Sequence, residues 1–220
     1  FDPVADRYEA IKTDNYDRLL ERLTSSKTSG TGNTMIVGTF AGVKESYIDG
    51  PSGVATFGNL TGVVVDSSGN AYVTDPSNHA IRKITPAGVV STFAGNGTLG
   101  FVDGSGTAAR FKVPRGIAID GNGNLYVADR DNHAIRKITP VGVVSTIAGS
   151  GSEGFANGTG SAASFRFPRG VAVDINGYVY VADTENRRVR ILTPVGSEPE
   201  SILPQRIQTH LILDINGYFQ

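Results

Sequence analysis

The 220-residue sequence contains no cysteine, and this absence excludes several kinds of chemistry. Without thiols the chain can form no disulfide, no thiol nucleophile and no cysteine-ligated zinc site. The compartment stays open, because many secreted bacterial proteins also lack cysteine.

Long apolar runs and an excess of charge are absent as well. No run approaches the roughly 20 residues that cross a bilayer, so we expect no membrane span. The formal net charge of -1 disfavours a strongly basic nucleic-acid binder. Glycine is abundant, with 28 residues, and this is typical of a turn-rich all-β protein.

One stretch of the chain occurs three times at a fixed spacing. Its copies begin at Gly62, Gly116 and Gly170, which are 54 residues apart, and the middle copy reads GIAIDGNGNLYVADRDNHAIRKITPVGVVSTIAG. Such a period is typical of repeat architectures, in which each unit buries its apolar face only against its neighbours.

The middle copy predicts the structure of one unit. Its apolar residues alternate in four short runs, which predicts four β-strands. Asn122-Gly123 is a strong signal for a two-residue hairpin, and residues 140–142 predict the turn before the last strand. Four antiparallel strands per repeat predict the blades of an all-β propeller, with about three to four blades in the chain.

The repeated residues resemble the NHL repeat, in the long-blade form found in many secreted bacterial and animal proteins. The resemblance covers residues 34–196 and rests on PRGIAID and PRGVAVD, LYVAD and VYVAD, NHAIRKITP, and the closing GVVSTFAG and GVVSTIAG. Two departures are visible. The third copy has Asn186-Arg187-Arg188 where the others have Asn-His-Ala, and the first copy has Leu60-Thr61 where the others have Pro-Arg.

The chain is predicted to have four parts. Residues 1–23 have an approximate helical stripe, and residues 24–34 read as a polar linker. Residues 35–196 are expected to hold the blades, with residues 35–42 as the last strand of one blade. Residues 197–220 predict a β-hairpin tail, which either forms a short fourth blade or resembles the closing hairpin of small β-domains appended to bacterial surface proteins.

Three or four blades leave the ring incomplete, since propellers typically have about four to eight. An open sheet edge is an association site unless something covers it. We therefore expect two chains to pair and to complete a ring of about six blades.

Recurrence separates scaffold residues from candidate ligands. In every copy an aspartate precedes an arginine by seven residues, and a position filled identically in each blade favours a blade-fixing hydrogen bond over catalysis. These pairs are Asp75 and Arg82, Asp129 and Arg136, and Asp183 and Arg190. Recurring aromatic residues are expected to pack the long insertions, residues 96–115 and 150–169, onto the blades. They are Tyr47, Phe57, Phe101, Phe111, Phe155 and Phe165.

Four residues are candidates for ligand binding: Arg115, Arg169, His79 and His133. Both arginines follow a proline and begin the strand expected to line the central channel, where a guanidinium binds carboxylates or a polar polymer. Capping of local loop carbonyls is the alternative. The histidines occupy one repeated position on different blades, so a structural role is favoured over a metal site. Asp120 and the residues after it faintly resemble a calcium loop, but hairpin formation explains them better.

The sequence predicts a non-enzymatic module of a secreted or cell-surface protein, with no catalytic residue, metal or cofactor. The NHL resemblance implies an interaction platform, so we expect a protein or carbohydrate ligand, a homo-oligomer and no nucleic acid. The alternative is a propeller-type metal-dependent lyase or lactonase, which needs unlike residues of several blades to converge in the central channel. Because the sequence begins at Phe1, we expect a processed or cut form of a longer protein.

Overall fold

The computed structural model describes residues 37–194, which contain three antiparallel sheets. The first blade contains β1 (Gly62–Val65), β2 (Ala71–Asp75), β3 (Ala80–Ile84) and β4 (Val90–Ala94). The second contains β6 (Pro114–Ile119), β7 (Leu125–Asp129), β8 (Ala134–Ile138) and β9 (Val143–Ala148), with β5 (Gly104–Ser105) paired to β9. The third contains β10 (Pro168–Val173), β11 (Val179–Asp183) and β12 (Arg188–Leu192). The predicted all-β fold with four-stranded blades is therefore confirmed, and β5 is an addition that the sequence did not predict.

Short 3-10 helices are the helical elements of the described chain. One follows the second strand of each blade, at Pro76–Asn78, Arg130–Asn132 and Thr184–Asn186. Two more lie in the insertions, at Gly106–Ala108 and Gly160–Ala162. Between residues 37 and 194 no helix has the length and apolar character needed to cross a membrane.

The core lies between successive blades. One face of the first blade packs on the second blade, and the other face of the second blade packs on the third. The first of these clusters includes Tyr72, Ile81, Ile117, Leu125 and Val127. The second includes Ala128, Ile135, Phe165, Val179 and Val181. Each blade thus buries its apolar residues against a neighbour, as the alternating pattern of a strand covered on both faces requires.

One predicted strand is not seen in the part of its range that the structure describes. The sequence predicts the last strand of a blade over residues 35–42, but the described residues 37–42 form no strand. The outer edge of the first blade is instead covered by Gly50, whose N–H donates to the Val90 carbonyl. An outer strand needs the third strand of its own blade as a partner, and the described residues before β1 provide none. The predicted helical segment, linker and tail lie outside the described residues.

Candidate functional site

The recurring aspartate and arginine form a buried ion pair in each blade. In the second blade, Arg136 Nη1 donates to Asp129 Oδ2 at 2.7 Å, and neither side chain is exposed to solvent. Arg136 Nη2 donates at 2.7 Å to Asp103, which is half-exposed on the insertion. Nη1 also donates to the Arg110 carbonyl and Nη2 to the Val102 carbonyl, whereas Nε is buried without a partner. The predicted scaffold role of the pair is confirmed.

Aromatic rings hold the arginine from both sides. The guanidinium carbon of Arg136 lies 5.1 Å from the Phe101 ring centroid and 5.0 Å from that of Phe111, within cation–π range. Arg82 and Arg190 lie between the equivalent pairs of rings. Because one ring comes from each end of the insertion, the arginine fastens the insertion to its blade, as predicted.

The carboxylate of Asp129 has no access to a substrate. Burial raises its pKa to about 6, and this outweighs the opposing effects of the Arg136 charge, the Asn132 side chain and the Lys112 N–H. A perturbed pKa is often a sign of a functional site. Here the group is fully buried and each oxygen accepts a hydrogen bond from the protein, so the structure explains the shift without a reaction.

The two histidines join neighbouring blades. Each has a left-handed backbone conformation, with φ of 49°, directly after a 3-10 helix. The Nδ1 atom of His79 accepts a hydrogen bond from the Val113 N–H at 3.2 Å, and His133 does the same with Phe167. Burial lowers the pKa of both imidazoles, which favours the neutral form that this bond requires.

The structure keeps the two histidines on separate blades, as the repeat spacing predicts. Each already uses one ring nitrogen in a structural hydrogen bond. Within the described range, no group of three or more histidine, aspartate and glutamate side chains is arranged to hold a metal ion. The contact between each histidine and the next blade was not predicted, because the two partners are 34 residues apart and only the fold brings them together.

Asp120 organises the first hairpin of the second blade. Its Oδ1 accepts from the N–H groups of Asn122 and Asn124, both at 2.9 Å. Its Oδ2 accepts from the Asn124 amide at 2.8 Å and from the Tyr126 hydroxyl at 3.1 Å. Burial of the phenol beside this carboxylate raises the pKa of Tyr126 to about 12. The hairpin interpretation is confirmed, since both carboxylate oxygens serve the turn.

Arg115 and Arg169 keep their guanidinium groups unpaired. They are the second residues of β6 and β10, the first strands of adjacent blades. The Arg115 carbonyl accepts from Thr74 Oγ1 at 2.6 Å and from Thr61 Oγ1 at 3.1 Å, so its backbone is fixed. Across the described chain, neither guanidinium makes a hydrogen bond or an ion pair. The Arg115 Nε is buried without a partner, as are the Nε atoms of Arg82, Arg130 and Arg136. The predicted alternative, capping of local carbonyls, is not observed.

Comparison with known proteins identifies the repeat. The NHL repeat family matches residues 111–138 and 165–192, the cores of the second and third blades. These two blades are NHL repeats, and the matches support an NHL-repeat β-propeller family for the chain. NHL repeat-containing protein 2 of Gallus gallus is 38% identical over 135 residues, and protein SUPPRESSOR OF QUENCHING 1, chloroplastic, of Arabidopsis thaliana is 32% identical over 143 residues.

The aligned parts cover 55% and 60% of this NHL chain but only 18% and 14% of these two relatives. Among solved structures, an auxiliary nutrient binding protein from Bacteroides ovatus is 30% identical with a TM-score of 0.55, over 62% of this chain and 37% of that one. Lyase and lactonase propellers also match, at 14% identity and TM-scores of 0.41 and 0.45, and this likeness is too distant to bear on activity.

Proposed function

We propose that this NHL chain is a non-enzymatic binding module of a secreted or cell-surface protein, which holds a protein or glycan through acidic groups and completes its propeller by oligomerisation. The observation that supports a ligand site is the pair of unpartnered guanidinium groups of Arg115 and Arg169 on adjacent blades. The other recurring polar side chains already fix turns, insertions or blade contacts. The likeness to a nutrient binding protein supports a binding role.

The chemistry of the two arginines favours a carboxylate ligand. A guanidinium presents several donors in one plane and binds a carboxylate through two parallel hydrogen bonds. Arg115 is half-buried and Arg169 is exposed, so each side chain is at least partly accessible to a ligand from solvent. Acidic side chains of a protein and uronic acids of a glycan share this carboxylate.

Calorimetric titration of the full chain with a glutamate decamer and with oligogalacturonate tests the proposal. We expect one of the two to bind, and Arg115→Ala or Arg169→Ala to weaken it roughly 10- to 100-fold, because a hydrogen bond to a charged group is worth about 1.5–3 kcal/mol. Lys44→Ala removes one exposed positive charge elsewhere and serves as the matched control.

Any of three results would overturn the proposal. One is binding of neither probe, and another is an effect of Lys44→Ala equal to that of the arginine substitutions. The third is a stoichiometric metal found by elemental analysis of the same sample, which would favour the lyase or lactonase alternative.

A further inference from the structure

The third blade exposes an apolar sheet face that the second blade buries. This open face consists of Ala172, Tyr180, Ala182, Val189 and Ile191. Val189 is 76% exposed, whereas Ile135, at the same position of the second blade, is fully buried against the third. The contrast arises because the second blade has a following blade in the described chain and the third has none.

The third blade also has a glycine at the position where the first two blades are closely approached by the backbone of the next blade. A Cβ on Gly62 would lie 2.9 Å from the carbonyl oxygen of Arg115, and a Cβ on Gly116 would clash with that of Arg169. Glycine is therefore needed where the first strand of the next blade approaches. Gly170 occupies the same position, yet in the described chain a Cβ there would meet only the Ala182 side chain, at 3.2 Å.

The opposite half of the contact is exposed on the first blade. Val63 and Val65 of β1 are 63% and 56% exposed. Their counterpart in the second blade, Ile117, is 8% exposed because it packs in the cluster shared with the first blade. The chain thus presents both sides of its own blade contact, one at each end of the described sheets.

We propose that the open face of the third blade binds β1 of a second copy of this chain, and that the same contact, made twice, closes a six-bladed ring. This inference rests on the oligomerisation named in the proposed function and specifies its surface. Two head-to-tail contacts related by a two-fold axis close a ring without a free edge. Six blades lie within the usual range of propellers.

At the proposed contact, both partners of the histidine hydrogen bond that joins neighbouring blades are replaced by other residue types. Arg187 replaces the histidine that accepts a hydrogen bond from the next blade, and it keeps the left-handed conformation with φ of 55°. Asn59 stands where the second and third blades have Val113 and Phe167, the residues whose N–H groups meet that histidine. Both Arg187 and Asn59 are exposed. An arginine side chain donates and an asparagine side-chain carbonyl accepts, so the substituted pair is able to form a hydrogen bond of its own between copies.

Light scattering on the full chain tests the contact. We expect twice the chain mass for the native protein. Val189→Asp places a charge in the apolar contact and is expected to weaken association at least about tenfold, since burial of an unpaired charge is costly. Ile175→Asp adds the same charge at a residue that is 94% exposed in a hairpin turn, and it should remain dimeric. Far-UV circular dichroism verifies that each variant is folded.

A charge exchange tests the pairing of the two divergent residues. Arg187→Glu is expected to weaken the dimer, and adding Asn59→Lys in the same chain should restore it. A monomeric native chain overturns the inference, and so does a dimer that Val189→Asp leaves unchanged. Loss of carboxylate binding with an intact dimer would refute only the ligand site, whereas carboxylate binding by a native monomer would refute only this contact.

Discussion

Replacement of the buried Arg136 by methionine gives the most direct measure of what holds an insertion to its blade. Methionine is unbranched and apolar, so it can still occupy the space between the Phe101 and Phe111 rings. It leaves the Asp129 carboxylate without a counter-charge at a position with no solvent exposure. Removal of one partner of a buried ion pair costs about 3–5 kcal/mol, a large share of the roughly 5–15 kcal/mol that stabilises a typical protein.

The third blade supplies a matched control. Arg190 makes the same contact with Asp183, at 3.0 Å, but its side chain is 10% exposed and its second partner is the neutral Asn157. Asp183 is as buried as Asp129, but the position of Arg190 is open to solvent. Water can therefore enter the space that Arg190→Met vacates and hydrate the Asp183 carboxylate, so we expect a smaller cost of about 1–3 kcal/mol. The double variant Asp129→Asn with Arg136→Met leaves no buried unpaired charge, since Asp103 is half-exposed, and should recover part of the stability lost in Arg136→Met.

Urea unfolding followed by far-UV circular dichroism measures these differences through the midpoint and the slope of each transition. Equal costs for Arg136→Met and Arg190→Met would refute the argument, because it depends on the difference in burial. A cost below about 1 kcal/mol for Arg136→Met would refute it as well. In that case packing of the two aromatic rings alone would hold the insertion.

Two further predictions concern the contacts between blades. Burial lowers the pKa of His79 and His133 in the folded state. The folded chain therefore binds fewer protons than the unfolded chain near and below the ordinary histidine pKa of 6.5. The free energy of unfolding should fall as the pH drops below that value. Asparagine tolerates the left-handed conformation and does not titrate. In the double variant His79→Asn with His133→Asn, the free energy of unfolding should therefore depend less steeply on pH below 6.5. An unchanged slope would contradict this reasoning. Gly116→Ala should lower the melting temperature by several degrees, because the added methyl clashes with the Arg169 carbonyl, and Gly170→Ala should lower it less, since its nearest contact is a side chain. Differential scanning calorimetry measures the two melting temperatures. Equal decreases for Gly116→Ala and Gly170→Ala would show that the close approach of the next blade's backbone is not the reason for glycine at this position.

Local sequence was sufficient to predict the strands of the 54-residue repeat, its hairpins and the Asp–Arg pairs. Asn122-Gly123 and the alternation around Val127 act over a few residues, and the structure has the predicted strands at those places. The pairing of Asp129 with Arg136 follows from the register, because Asp129 ends β7 and Arg136 lies in the adjacent β8. Because the 54-residue repeat occurs three times, each local pattern is seen in three copies, which makes the structural prediction from it more reliable.

The contacts that the sequence did not reveal join residues of different elements. Asp103 lies in the insertion, 33 residues before the Arg136 that it binds, and its recurrence is broken in the third copy. The bond from the Phe167 N–H to His133 crosses between two blades. The lack of partners for Arg115 likewise depends on which carbonyls and carboxylates the fold leaves out of reach, and no spacing rule expresses this.

The polar contacts of the recurring arginine differ in the third copy, where this arginine is partly exposed to solvent. Arg136 is fully buried and has two carboxylates, Asp129 and Asp103. Arg190 has one, because Asn157 stands in the position of Asp103. The attraction between a second carboxylate and an arginine is strongest where water is excluded. Replacement of that carboxylate by a neutral amide therefore costs less where the guanidinium reaches solvent, as that of Arg190 does. The loss of this carboxylate and the exchange of histidine for Arg187 both occur in the blade that ends the described sheets, so the changes in polar contacts coincide with the blade that has no following blade in the described chain.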